Sequence, residues 1–143
     1  MSSQNSSIKV SVTKHNGLGN DFLVLDRREA SALSNAQVAE IDWPNMARNW
    51  CNRKTGIGAD GLLLLGHTDA NTLTMRLYNS DGSLAEMSGN GIRCLAQAAH
   101  MADDLKTEAI YSVDTDAGER RVVVTPQAND SQTVDASVDM GPI

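Results

Sequence analysis

The segment from about Asn90 to Asp103 constrains this chain more than any other part of it. Ile92, Cys94, Leu95, Ala96, Ala98, Ala99 and Met101 are small or apolar and fall on several sides of a helix. A surface helix carries one apolar stripe, whereas a helix that is apolar on several sides has to be enclosed. The rest of the chain supplies strands for that enclosure. Ile8, Val10 and Val12 alternate with Lys9, Ser11 and Thr13, and Leu73 to Tyr78 alternates again. Phe22 to Leu25 and Leu62 to Leu65 are short uninterrupted apolar runs, as expected of buried strands. Ala109 to Val113, Arg120 to Thr125 and Val134 to Met140 read as three more strands. Ala36 to Trp50 has a helical pattern that Pro44 interrupts; a break is predicted there, with Asp42 as N-cap and Pro44 early in the second piece. Asn16 to Asn20, Arg27 to Asn35 and Arg53 to Gly61 read as loops. Seven strands around one buried helix, with a shorter helix beside them, make an α+β fold with a curled, mostly antiparallel sheet.

Composition narrows what such a fold does. A length of 143 residues is one domain. Aromatic residues are only 3% of the chain, so the core is aliphatic. A net charge of −6 argues against nucleic acid and anionic membranes as partners. Cys51 and Cys94 are the only cysteines and have no metal-ligand spacing, and His15, His67 and His100 share none either; no metal or cofactor is expected. Residues 1–7 are polar and are expected to be a disordered tail, without the apolar core of a signal peptide. No apolar stretch approaches the roughly 18 residues of a membrane span, so a reducing cytoplasm is the expected compartment.

Chemistry concentrates between Asn79 and Cys94. Asp81-Gly82 marks a turn after the strand ending at Tyr78, and Ser88-Gly89-Asn90-Gly91 opens the buried helix. The first backbone N–H groups of a helix have no intrahelical acceptor, so this terminus is suited to a carboxylate or phosphate, with Ser88 at its lip. The bland reading is ordinary capping by Ser88 or Asn90. Gly56-Ile57-Gly58-Ala59-Asp60-Gly61 spells G-x-G-x-x-G, but a helix precedes it and a strand follows it, the reverse of what dinucleotide binding requires. It reads as a shaped loop. Cys94 and Cys51 read as small buried hydrophobes. Arg93 can pair with a carboxylate, Asp81 or Glu86, or steer an anionic substrate, and bracing a loop is the expected role.

The run Asn79-Ser80-Asp81-Gly82-Ser83 through Ser88-Gly89-Asn90-Gly91-Ile92-Arg93-Cys94 resembles the catalytic segment of the diaminopimelate epimerase family, Asn-x-Asp-Gly-Ser followed by Cys-Gly-Asn-Gly-x-Arg-Cys. Lys14-His15-Asn16-Gly17-Leu18-Gly19-Asn20-Asp21-Phe22, Gly56 to Leu63, and the ending Val138 to Ile143 match in order and spacing. The resemblance implies a diaminopimelate epimerase-like domain, residues 8–143 being the N-terminal of two pseudo-symmetric α/β domains, with the substrate between them and no cofactor. It implies epimerisation of LL-diaminopimelate to the meso form, one cysteine thiolate removing the α-proton and a second thiol protonating the other face. Asn20 and Asn79 are expected to bind the polar ends of the substrate, and Gly89 and Asn90 its α-carboxylate; each asparagine could equally cap a turn. The family often carries a substrate-contacting glutamine at the position of Gly61.

Two departures qualify the resemblance. Ser88 stands at the position of the first catalytic cysteine, and a hydroxyl is far less acidic than a thiol. The second domain, with the other cysteine, is not among these residues. The chain is therefore expected to be inactive alone, with self-association or a complementary C-terminal half as its partner. The alternative is a non-catalytic member of the same fold that binds an amino acid or a partner protein. A proline racemase-like or phenazine-biosynthesis-like isomerase is a third reading, which the Gly-Leu-Gly-Asn-Asp-Phe and Asn-x-Asp-Gly motifs disfavour.

Overall fold

The computed structural model describes residues 9–16, 19–28, 39–69, 72–85, 88–103, 107–115, 118–124 and 134–139. The predicted tail, residues 1–7, lies outside them, as do most of the expected loop at 27–35 and the start of the helical pattern at Ala36. The elements are strands β1 (Lys9–Asn16), β2 (Asp21–Asp26), β3 (Gly61–His67), β4 (Thr72–Asn79), β5 (Ala109–Thr115), β6 (Gly118–Val124) and β7 (Val134–Asp139). Helices α1 (Trp43–Cys51) and α2 (Gly89–Ala102) lie between β2 and β3 and between β4 and β5. One sheet holds all seven strands in the order β6-β5-β4-β3-β2-β1-β7. Pairings β2 with β3 and β4 with β5 are parallel and the other four antiparallel, which bears out an α+β fold with a mostly antiparallel sheet.

The two parallel pairs explain where the helices sit. A parallel pair needs a crossover, and crossovers in one sheet share one hand. Both crossovers step the same way across the sheet, but strand polarity reverses between β3 and β4. A common hand therefore places the helices on opposite faces. Phe22, Val24, Leu63, Leu65, Leu73 and Leu77 pack toward α2. Leu23, Leu25, Leu62, Leu64 and Tyr78 pack toward α1. Residues 22–25 and 62–65 are uninterrupted apolar runs because β2 and β3 are covered on both faces.

Helix α2 packs against β1 to β6, so the sheet curls around it. Gly91, Ile92, Cys94, Leu95, Ala96, Ala98, Ala99 and His100 are buried, and the small residues among them let the strands approach closely. Asn90, Arg93, Gln97 and Met101 form the one face left to solvent. Helix α1 begins as predicted: Asp42 Oδ1 accepts from Asn45 N at 3.1 Å, Pro44 sits in the first turn, and Trp43, Ala47 and Trp50 bury one face. The turn after β4 depends on Gly82. Its φ is +90°, and a Cβ there would lie 2.8 Å from the Pro44 carbonyl oxygen, so α1 can lie close over the turn.

The far end of α2 is held by a polar clamp. The Arg28 guanidinium chelates Asp26, donates to Ala99 O at 3.4 Å, and lies 3.3 Å from an Asp103 carboxylate oxygen. Burial disfavours the Arg28 charge, but the hydrogen bonds it donates to Asp26 and then to Asp103 outweigh this and raise its pKa. Tyr111 OH donates to Asp103 at 3.1 Å; burial, then this bond, push the phenol up to about 12.

Leu95 is fully buried in the α2 core while Met101, on the same helix, is 45% exposed. Leu95→Ala is expected to lower unfolding stability by about 2–5 kcal/mol, and Met101→Ala by under about 1 kcal/mol, in urea titrations followed by circular dichroism.

Candidate functional site

Gly61 pairs with both Phe22 on β2 and Asn79 on β4, so the start of β2, the start of β3 and the end of β4 share one end of the sheet. The N-terminus of α2 reaches the same end, where Asn90 Nδ2 donates to Asn20 Oδ1 at 3.0 Å. Residues 20, 79 and 88–90, far apart in the chain, are thus brought to one end of the fold. Asn20 and Asn90 touch; Asn79 does not join them. Asn79 Nδ2 donates to Ser83 Oγ at 3.0 Å, and its backbone N–H to Ser83 O, which closes the turn after β4.

Ser88 is the N-cap of α2. Its backbone is extended, with φ −127° and ψ 123°, and its Oγ accepts from Gly91 N at 3.1 Å while its carbonyl accepts from Ile92 N. Among the described residues nothing accepts from the backbone N–H of Gly89 or of Asn90. The space around Gly89 is open: a Cβ built there would meet nothing within 4 Å. Two amides with no acceptor among the described residues thus stand at the positive end of a 14-residue helix.

Among the described residues no base bonds Ser88 Oγ. His15 Nε2 lies 2.8 Å from Thr13 Oγ1, and His100 Nε2 2.7 Å from Thr107 O; both side chains are buried. Cys94 is fully buried, and burial, then the nearby Asp21 charge, push the Cys51 thiol up to about 11. Both thiols are buried, in line with their reading as core residues. The expected pairing of Arg93 with Asp81 is corrected. Arg93 Nη2 donates to Asn90 Oδ1, and Asp81 Oδ1 is engaged by Ser83 N at 2.9 Å and Ser83 Oγ at 2.6 Å, contacts that also lower its pKa. A local Asx contact outcompetes the distant cation. Glu86 lies outside the described residues.

The Gly-rich loop is used up by α1. Ile57 N and Gly58 N both donate to Trp50 O at 2.9 Å, Gly56 N to Asn52 O and Ala59 N to Cys51 O. These amides satisfy the end of the preceding helix and are not available to a phosphate, which explains why the fingerprint is misleading here. Gly61 has no room for a side chain. A Cβ there would lie 2.9 Å from Leu77 Cδ1 and 3.0 Å from Tyr78 O, pointing into the core.

Sequence reasoning missed the charged cluster beneath Asn20. Asp60 Oδ2 accepts from Asp21 N at 2.9 Å and faces Asn20 Nδ2 at 3.4 Å. Arg53 grips Asp21 with both terminal nitrogens, at 3.0 and 2.7 Å, and reaches Asp60 Oδ1 at 3.3 Å; Lys14 Nζ lies 3.3 Å from Asp21. The Arg53 guanidinium, then the Asp60 and Lys14 contacts, hold the Asp21 carboxyl well below the usual carboxylate range. The available signal was adjacency: Asp21 follows Asn20, and Asp60 sits in the motif stretch before Leu62. Among the described residues no three His, Cys, Asp or Glu side chains converge on a metal position, and no helix is long and apolar enough to cross a membrane.

A sheet curled round a helix whose N-terminus opens at the strand ends is shared with solved structures. The hydroxyproline epimerase of Agrobacterium vitis, solved with trans-4-hydroxy-L-proline bound, superposes with a TM-score of 0.59 over 84% of this chain and 38% of its own, at 15% identity. That likeness is one of fold alone. The sequence narrows it further, since the diaminopimelate epimerase family profile matches residues 12–143. The diaminopimelate epimerase of Thermosynechococcus vestitus is 41% identical over 90% of this chain and 43% of its own length, and that of Acaryochloris marina 41% identical over 94% and 44%. The chain belongs to the diaminopimelate epimerase family. It spans less than half the length of the curated relatives it matches.

The Asp21–Arg53 pair makes a pH prediction. A carboxyl whose folded pKa lies below its unfolded value of about 3.9 adds stability that is fully present above that value and is lost as pH falls through the folded one. Urea midpoints of the native chain are expected to fall from about pH 5 to about pH 2. Arg53→Ala should lower the midpoint at neutral pH and flatten this dependence.

Proposed function

We propose that this chain forms one wall of a diaminopimelate-binding site, holding the substrate α-carboxylate at the N-terminus of α2 for cofactor-independent epimerisation at the α-carbon. The observation that carries this reading is the pair of amides of Gly89 and Asn90, which no described residue accepts from, with open space at Gly89 and Asn20 bonded to Asn90. A carboxylate seated there gains two charge-assisted hydrogen bonds and the helix dipole. The same contacts stabilise the negative charge that develops toward the carboxylate as the α-proton leaves, and that charge is what makes the proton hard to remove. Asn20 and Asn79 supply neutral amides suited to a zwitterion, because each can donate and accept. Family membership supports the choice of diaminopimelate over other amino acids.

Proton abstraction is the weak step. Ser88 occupies the base position, but its oxygen already accepts from Gly91 N, and no described His or carboxylate is placed to take its proton. A cysteine at the same helix terminus would have its pKa drawn toward neutrality. The chain therefore binds the carboxylate but removes the α-proton poorly, and full turnover needs a second wall. That wall comes from a complementary C-terminal half or from a second copy. The occupied Ser88 hydroxyl also favours a second reading, a binding member of the family without catalysis.

Backbone amide spectra of the 15N-labelled chain titrated with meso-diaminopimelate are expected to move Gly89 and Asn90 first. In heavy water, α-proton wash-out from meso-diaminopimelate should be undetectable with the native chain and rise by at least about a hundredfold with Ser88→Cys. Shifts at Gly89 and Asn90 with no wash-out from either chain would favour the binding reading. Absence of those shifts would remove the cradle itself.

A further inference from the structure

Four side chains run across the site, and both ends of the run are chemically one-way. Asp60 Oδ2 faces Asn20 Nδ2 at 3.4 Å, Asn20 Oδ1 accepts from Asn90 Nδ2 at 3.0 Å, and Asn90 Oδ1 accepts from the Arg93 guanidinium. An ionised carboxylate only accepts, and a guanidinium only donates. A primary amide can in general turn over about its last torsion, exchanging oxygen for NH2. Here neither can. Turning Asn20 over would set its oxygen against the Asp60 carboxylate and its NH2 against that of Asn90. Turning Asn90 over would set its NH2 against Arg93 and its oxygen against that of Asn20.

The carboxylate at the head of this run is itself fixed. Asp60 Oδ2 accepts from Asp21 N at 2.9 Å, Asp60 Oδ1 from Arg53 Nη2 at 3.3 Å, and Asp60 N donates to Asp21 O at 2.8 Å. Arg53 is held in turn by its two-pronged contact with Asp21.

We propose that Asp60, braced by Arg53, is a positioning residue that sets the amide orientation of Asn20 and, through it, of Asn90 at the N-terminus of α2. Each amide keeps one N–H that no described group accepts. With the backbone N–H groups of Gly89 and Asn90, these turn the donor side of both residues toward an incoming group. An acceptor-only group, a carboxylate, is what such a surface selects over a hydroxyl or an amide. This last step rests on the carboxylate reading above; the orientation relay does not.

Side-chain amide resonances of Asn20 and Asn90 in the 15N-labelled full chain test the relay from both ends. An asparagine at position 60 can donate or accept, so Asp60→Asn makes that end two-way. The Asn90 side-chain pair, which Asp60 does not touch, is then expected to shift and broaden while backbone amides away from the site stay in place. Arg93→Ala, at an exposed position, should likewise move the Asn20 pair. If Asp60→Asn fails to fold, Arg93→Ala decides alone. An Asn90 pair unmoved in folded Asp60→Asn, or an Asn20 pair unmoved in Arg93→Ala, overturns the proposal, since a merely structural role for Asp60 would not reach the far amide. With meso-diaminopimelate added, Asp60→Asn should bind about tenfold more weakly than the native chain. Far-amide shifts in the variants together with no ligand response from the native chain would keep the relay and overturn the carboxylate reading instead.

Discussion

Enclosure of α2 is the constraint on which the rest of this structure depends. A helix with buried residues on most of its circumference has to be wrapped, and β1 to β6 do the wrapping. Wrapping requires the chain to enter and leave the helix through a parallel crossover, which fixes the polarity of β4 and β5. It leaves uncovered one narrow stripe and the first turn. Gly89 is exposed at that first turn, whereas the curled sheet covers the body of the helix.

The field at that turn is local. The chain carries a net charge of −6, which repels an anion at a distance. The two cations nearest Asn20 offer little remedy, since Lys14 and Arg53 are already matched to Asp21 and Asp60. On the reading proposed above, a carboxylate is held at this end by the backbone dipole, with Arg93 behind Asn90. Recognition of this kind tolerates changes in surrounding side chains, because the decisive donors belong to the main chain.

Much of the fold was legible because it is written in local periodicity. The boundaries of α2 came within a residue or so, and the Asp42 cap and Pro44 placement held, because capping chemistry lies within three residues. Strand polarity was less legible: nothing in residues 22–25 or 62–65 says that β2 and β3 run parallel, since a two-face apolar run records burial and not direction. Strands β5 and β6 extend past their expected limits, into Asp114 and Thr115 and back to Gly118, because exposed polar edge residues give no alternation to read. At the site, the grouping of Asn20 with Asn90 came from the motifs. The Asp60 contact to Asn20 spans forty positions and could not be read from spacing. Arg93 bonds the neutral amide of Asn90 one helical turn away rather than Asp81, whose formal charge is the more obvious attraction in the sequence.

Strand β2 holds α2 at both ends. At its start Asn20 bonds Asn90, and just past its end Arg28 reaches Ala99 and Asp103. One residue added to a strand advances it by about 3.3 Å and turns every later side chain to the other face, whereas one residue added to a helix advances it by about 1.5 Å and rotates all later positions by roughly a quarter turn. Neither element can change length without releasing one grip or the other. Length variation among sequences that keep both grips is thereby confined to the connections, and β2 and α2 act as a matched pair of rulers for the distance between the two ends of the helix.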